Sequence, residues 1–316
     1  MLPKFICLLA ALSLWIASSG QQSSIPSKKD FLADHVDTTI SPAADFYQYA
    51  NGGWIKKNPI PPNSTAWGSF FASQEEISNR YRKIIESMIA NKYTKGSNEQ
   101  KITDFWVTAM DSIKANQQGL QPLQPSLDKI NRIKTIHDLL DVISVVFCKR
   151  GLHVPFFSYP IDNDYFITMG GLTTGQRFYY FDNDEQSLRV RTAFKNYLLK
   201  TFMRLERDSI KARMYAEEEL ELETRLAKAH SSESEKKMSL PDLSVLTPEI
   251  NWHRYLKKIG INNMDSIIVG KPAFFKAVND ALKNTPIDVW KNYLRFQLIH
   301  IYARVLDGTA FNDLSE

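Results

Sequence analysis

SPAADFYQYANGGWIKKNPIPPNST, residues Ser41 to Thr65, is the stretch on which the reading of this chain turns. It opens as a helix. Ser41 can accept a hydrogen bond from a free N–H of the first turn, and Pro42 suits the first helical position because it has no N–H to leave unpaired. Phe46, Tyr49 and Ala50 offer an apolar side. Asn51-Gly52-Gly53 is expected to end the helix, since glycine tolerates positive φ. Trp54 follows as a large anchor, and Pro59, Pro61 and Pro62 force an extended path. Local physics reads this as a packing staple, with a ligand site as the rival.

The string itself says more. DFYQYANGGWIKKNPIP resembles the opening signature of the neprilysin-like (M13) family of zinc metallopeptidases, D-F-Y-x-Y-x-N-G-x-W-x-x-x-x-x-I-P. The matching residues are Asp45, Phe46, Tyr47, Tyr49, Asn51, Gly52, Trp54, Ile60 and Pro61.

The chain has 316 residues, of which 43% are apolar and 23% charged, enough to bury a sizeable core. A net charge of +4 with scattered Lys and Arg argues against nucleic-acid binding. Residues 1–20 have the layout of a secretory signal peptide: Lys4, an apolar run from Phe5 to Ala17, then Ser18-Ser19-Gly20. A membrane anchor is the rival, but the run is short for a span, and no stable span is expected after cleavage. Residues 21–40 read as a polar leader. Only two cysteines occur; Cys7 leaves with the signal, and Cys148 reads as a small buried hydrophobe. An exported protein without disulfides is expected to be bacterial and periplasmic or extracellular. The sequon Asn63-Ser64-Thr65 is then incidental.

Beyond Thr65 the pattern is mainly α-helical. A helix is expected over Ser69 to Tyr93, its stripe of Phe70, Ile77, Tyr81, Ile84, Ile85, Met88 and Ile89 packing into a core. A second is expected over Asn98 to Gln117, with Ile102, Phe105, Trp106, Met110 and Ile113 inward and Gly119 as its stop. A shorter helix carries Leu127 and Ile130. Thr135 caps Ile136 to Phe147, with Leu139, Leu140, Ile143 and Phe147 on one side. His153–Tyr159 and Tyr165–Met169, joined at Asp162-Asn163-Asp164, read as a two-stranded hairpin. Asp182-Asn183-Asp184 caps the longest helical region, which runs to His230 with a break near Asp208-Ser209. Glu217, Glu218, Glu219, Glu221 and Glu223 read as its solvated face. Ser231 to Lys237 reads as a mobile loop, and Ser266 to Val269 as a brief extended piece. Thr247 and Pro248 are expected to open a helix bearing Trp252, Tyr255 and Leu256. Thr285 and Pro286 are expected to open another bearing Trp290, Leu294, Leu298, Ile301 and Val305, with Gly308 as its stop.

Several of these segments resemble further family elements. Asp111, Gly119, Pro122 and Leu123 match D…G-x-x-P-L. Gly171, Leu172, Arg177, Tyr179 and Tyr180 match G-L-x-L-P-x-R-x-Y-Y, although Thr174-Gly175 stands where Leu-Pro is usual. Glu223, Leu226 and Ala227 match E-x-x-L-A, and Thr285, Pro286, Lys291, Tyr293 and Leu294 match a late helix opening.

Catalytic residues are another matter. His-Glu-x-x-His works because positions i and i+4 share a helix face with the base beside them, and the chain has no such string. His35, His137, His153, His230, His253 and His300 are solitary, and no Cys-x-x-Cys or G-x-S-x-G occurs. Three glycines, Gly170, Gly171 and Gly175, lack phosphate-loop spacing. No catalytic, cofactor-binding or metal-ligating residue is therefore assigned.

The resemblance covers about Phe31 to Asp307 and only the front half of the usual enzyme. It implies a multi-helix, two-lobed peptidase whose zinc and catalytic glutamate lie in a C-terminal lobe. Residues 41–309 are then the N-terminal helical domain and 310–316 a truncated end. The intact enzyme would take peptide substrates, whereas this chain would supply cavity wall. The alternative is a non-enzymatic exported binding or scaffold module of the same fold; a degenerate gene is a third reading.

Overall fold

The computed structural model describes residues 32–62, 64–148, 154–162, 164–230, 234–262 and 264–315. The expected signal peptide, the leader up to residue 31, Asn63 of the sequon, His153 and Asn163 of the hairpin turn lie outside the described residues. The chain divides into two compact units between Asp104 and Phe105.

In the first unit, helix α1 spans Phe46–Lys57. The expected entry and stop are both displaced. Asp45 caps the helix, its side chain accepting from Gln48 N–H at 2.9 Å. Gly52 and Gly53 lie inside the helix, and neither has positive φ. Their role is close approach. A Cβ on Gly53 would stand 2.8–2.9 Å from the carbonyl oxygens of Asp34, His35 and Val36, and one on Gly52 would stand 2.8 Å from the Asp37 Cβ. The 34–37 segment therefore lies directly on the helix backbone. There Asp37 N–H donates to the Tyr49 carbonyl at 2.7 Å, and Lys56 Nζ meets Asp37 Oδ2 at 2.7 Å. Lys56, with help from the Thr39 hydroxyl and N–H, holds the Asp37 carboxyl down at about 2.

Inside a helix, glycine to alanine ordinarily gains about 1 kcal/mol. Here the sign should reverse. Gly53→Ala is expected to cost about 1–3 kcal/mol through steric overlap and to expose the Asp37 amide to hydrogen exchange. Gly68→Ala, where an added Cβ meets nothing within 4 Å, should leave that amide protected.

Helix α2, Ser69–Ile89, contradicts the expected burial. No residue of it is buried; Phe70 is 74% exposed, and Ile77, Tyr81, Ile84 and Ile89 are also exposed. A period marks an apolar face but does not say what covers it. Helix α3, Asn98–Met110, contains the division between the units. The expected long second helix breaks at Asp111, whose carboxylate caps α4, Ser112–Gln118, by accepting from Lys114 N–H. Ile102, Phe105, Met110 and Ile113 are exposed rather than inward. Gly119 closes α4 with φ 50°.

The second unit holds the apolar core. Helices α5, Gln124–Asn131, and α6, Ile136–Val142, bury Leu127, Ile130, Leu139 and Leu140. Thr135 and Asp138 form a reciprocal capping box, and a π turn over Ile143–Phe147 extends the buried side. Strands β1, Phe156–Ile161, and β2, Asp164–Met169, pair antiparallel as expected. The hairpin is, however, half of a four-stranded mixed sheet. β3, Lys236–Ser239, lies antiparallel to β4, Ser266–Val269, and β4 pairs parallel with β2. β3 overlaps the segment read as a mobile loop. Its partner lies some thirty residues away, and β4 lies a hundred from β2, so neither pairing leaves a local trace.

A short 3-10 turn, Arg177–Tyr180, leads to α7, Glu185–Glu206, capped by Asp184. Arg207, at φ 54°, ends α7, and Asp208 caps α8, Ser209–Lys228. The expected break is there. Helices α9, Leu240–Leu246, α10, Trp252–Lys258, and α11, Pro272–Asn284, complete the cover of the sheet. Helix α12, Ile287–Leu306, is apolar on most sides and runs through the core; Trp290, Leu294 and Leu298 are fully buried. Thr285 does not cap it; its hydroxyl instead accepts from Arg225 Nη2 at 3.1 Å. After Asp307 the chain forms another helix, α13, Gly308–Ser315, with Ala310 buried.

Candidate functional site

Among the described residues, the histidines form no cluster of three or more with other metal-binding side chains. His300 on α12 is half-buried, stacked on Phe296 with centroids 5.7 Å apart, and its Nδ1 is 3.3 Å from the Tyr197 hydroxyl. Burial, reinforced by Arg304, pushes it down to about 4, so the ring is neutral. His230 packs edge-on to Phe274, and burial with nearby Lys271 and Arg177 likewise pushes it to about 4. His137 and His253 line a surface cleft of about 520 Å³ with Glu249 and Asn251. Among the described residues, no group of three or more His, Cys, Asp or Glu side chains could hold a metal ion. Zinc sites need three or four such donors on one point, so the donor set present here does not fit zinc. Cys148, read as a small buried hydrophobe, is half-buried beside the Tyr255 hydroxyl at 2.9 Å, and burial pushes its thiol up.

The most unusual polar arrangement lies on α8. Glu217 and Glu221 are exposed, as expected of a solvated face, but Glu219 and Glu223 are not; they are 0% and 2% exposed. The sequence did carry the signal. Ala212, Ala216, Glu219, Glu223 and Leu226 recur at four- and three-residue steps, the phase of the buried stripe itself. Residue type outweighed phase in the reading as a wet face.

Glu223 is fully answered. Its Oε1 accepts from Thr173 N–H at 3.0 Å, from the Thr173 hydroxyl at 2.7 Å and from Gln297 Nε2 at 3.4 Å; its Oε2 accepts from the Tyr180 hydroxyl at 2.7 Å. Gln297 Nε2 also donates to Thr173 Oγ1 at 3.1 Å. Two segments read as family elements, 171–180 and 223–227, therefore meet at one carboxylate. Burial pushes Glu223 up, and these donors offset only part of that rise. Glu219, one turn earlier, has no hydrogen-bond partner for either oxygen. Burial pushes it well up, and the Glu223 charge adds to that. The arrangement ties α8, α12 and the 173–180 segment together.

The fold is mainly helical with a small mixed sheet. The chain belongs to peptidase family M13, whose N-terminal model matches residues 42–314. What it carries is the N-terminal portion of such a zinc metallopeptidase. It is 25% identical over 314 residues to endothelin-converting enzyme 1 of Rattus norvegicus, covering 90% of this chain and 40% of that protein. An endothelin-converting enzyme homolog of Locusta migratoria is 24% identical, with 88% of this chain and 42% of that protein covered. In structure it is similar to Mycobacterium tuberculosis zinc metalloprotease Zmp1 in complex with inhibitor, at a TM-score of 0.78 and 20% identity, over 88% of this chain and 45% of that one. PepO from Lactobacillus rhamnosis follows at 0.65 and 14%, over 87% and 46%. The chain thus spans about two fifths of the length of the curated relatives it matches.

Proposed function

We propose that this chain is the non-catalytic, cavity-forming part of an exported zinc metalloendopeptidase that hydrolyses peptides. In that enzyme the zinc ligands and the catalytic glutamate belong to a C-terminal lobe. The observation that carries this reading is a contrast. The family match runs over nearly all of residues 42–314, while the side chains described hold no set of donors suited to zinc.

The surface of the first unit supports a partner lobe. Phe70, Ile77, Tyr81 and Ile84 are exposed on α2, and their spacing puts them on one side of that helix. Apolar faces of this kind mark interaction surfaces, unlike single scattered residues. The partner that fits is the catalytic lobe of the same enzyme, closing over peptides and excluding large folded proteins. Export follows from the signal-like residues 1–20. No helix among the described residues is long and apolar enough to cross a membrane.

The purified chain is expected to retain no stoichiometric zinc by elemental analysis and to leave quenched fluorescent peptides uncut. One tightly held zinc with turnover, abolished by a chelator, would overturn the proposal.

A further inference from the structure

The acids buried on α8 have no part in peptide hydrolysis as proposed above, yet both are taken almost wholly out of water. A carboxylate taken out of water needs hydrogen-bond donors or a counter-charge. Glu223 has donors from Thr173, Tyr180 and Gln297. Glu219 has none, and the charge that acts on it is that of Glu223, which is of like sign. Two like charges one helical turn apart in a dry interior cannot both persist when donors serve only one of them.

We propose that Glu219 and Glu223 form an acid–carboxylate pair, Glu219 keeping a proton at neutral pH while Glu223 carries the charge. On this proposal, α8 stays fastened to the 173–180 segment and to α12 only while that proton is held.

The surroundings agree. On α8 itself, Arg225 sends Nη2 to Thr285, and its Nε has no hydrogen-bond partner. The 3-10 turn contributes Tyr180, and α12 contributes Tyr293 and Gln297. Burial and the Glu223 charge push both tyrosines up, so they stay neutral. From α7, Lys195 pairs with Glu217 on the exposed side at 3.6 Å. The charged residues of α11, Lys276, Asp280 and Lys283, are exposed. Burial, then the neighbouring Glu223, raises Glu219 in the same direction as the geometry requires.

The sign of the pH effect follows. Below the ordinary glutamate value of 4.5 Glu219 is protonated in both the folded and unfolded chain, and its proton costs nothing. Above it, the unfolded chain releases the proton and the folded chain keeps it. Stability is therefore lost as pH rises, up to the raised folded value, by about tenfold in the unfolding equilibrium constant per pH unit for one proton.

Two measurements on the full chain test this. Infrared spectroscopy at pH 7 should show a protonated-carboxyl C=O band that Glu219→Gln removes and that fades in the wild type as pH rises. Denaturant unfolding between pH 5 and 8 should show the wild type losing about tenfold more per pH unit than Glu219→Gln. A wild-type spectrum without the band overturns the proposal, as does a variant that keeps the band or the full pH slope. Failure of Glu219→Gln to fold also counts against it, because glutamine copies the shape of the neutral acid.

Discussion

Trp252→Ala is expected to destabilise the second unit by about 3–5 kcal/mol, the range for removing a fully buried large aromatic side chain. The indole is completely buried at the start of α10, with ring centroids 5.7 Å from Phe156, 5.7 Å from Tyr255 and 5.9 Å from Phe275. It thus joins β1, α10 and α11. Its Nε1–H donates to the Thr247 hydroxyl at 2.7 Å, and that hydroxyl donates to the Leu243 carbonyl at 2.7 Å. This corrects the role expected of Thr247. Asn251 caps α10, accepting from Arg254 N–H at 3.0 Å, and Thr247 serves the indole instead. Alanine would leave a cavity between three aromatic rings and take from the Thr247 hydroxyl the donor it accepts from. Urea titration followed by far-ultraviolet circular dichroism should show the midpoint falling with an unchanged slope. Val245→Ala on neighbouring α9, where the side chain is 83% exposed, should stay within about 0.5 kcal/mol. If the two variants unfold alike, this aromatic cluster does not organise the core.

The second large effect is expected at Asp307, between α12 and α13. Its Oδ2 pairs with Arg204 Nη2 from α7, and both side chains are largely buried. Its Oδ1 accepts from Ala310 N–H at 2.8 Å, capping α13. Asp307→Ala removes the cap and leaves a guanidinium without its counter-charge. Removing one partner of such a pair costs about 3–5 kcal/mol. Asp307→Asn can still cap, so its loss should be smaller. Hydrogen exchange separates the two roles: alanine should release the amides at the start of α13, whereas asparagine should keep them protected. Equal exchange in both variants would rule out the capping role.

The helices were largely legible. Thr135, Asp184 and Asp208 sit where their side chains cap the helices they precede. Leu139, Leu140, Ile143 and Phe147 share a buried side, as their spacing requires. The break between α7 and α8 and the antiparallel β1–β2 hairpin were also readable. The misreadings share a cause. Gly52 and Gly53 looked like a stop because glycine is permissive, but the 34–37 segment needed the missing Cβ atoms. The α2 stripe looked like core because its period is that of a buried face. Glu219 and Glu223 look solvated because they are charged, and the partners that show what Glu223 serves, Thr173, Tyr180 and Gln297, lie about forty to seventy residues away.

The sequence by itself determined where many of the helices lie, which sides of them are apolar, and the family signature at Asp45 to Pro61. Those depend on dihedral preferences, caps and periodicity over a few residues. Only the tertiary structure decided which apolar sides are covered, that β2 and β4 run parallel, and which groups serve the Glu223 carboxylate. Each of these depends on a segment far along the chain arriving within a few ångströms, and no local pattern of residues encodes that arrival.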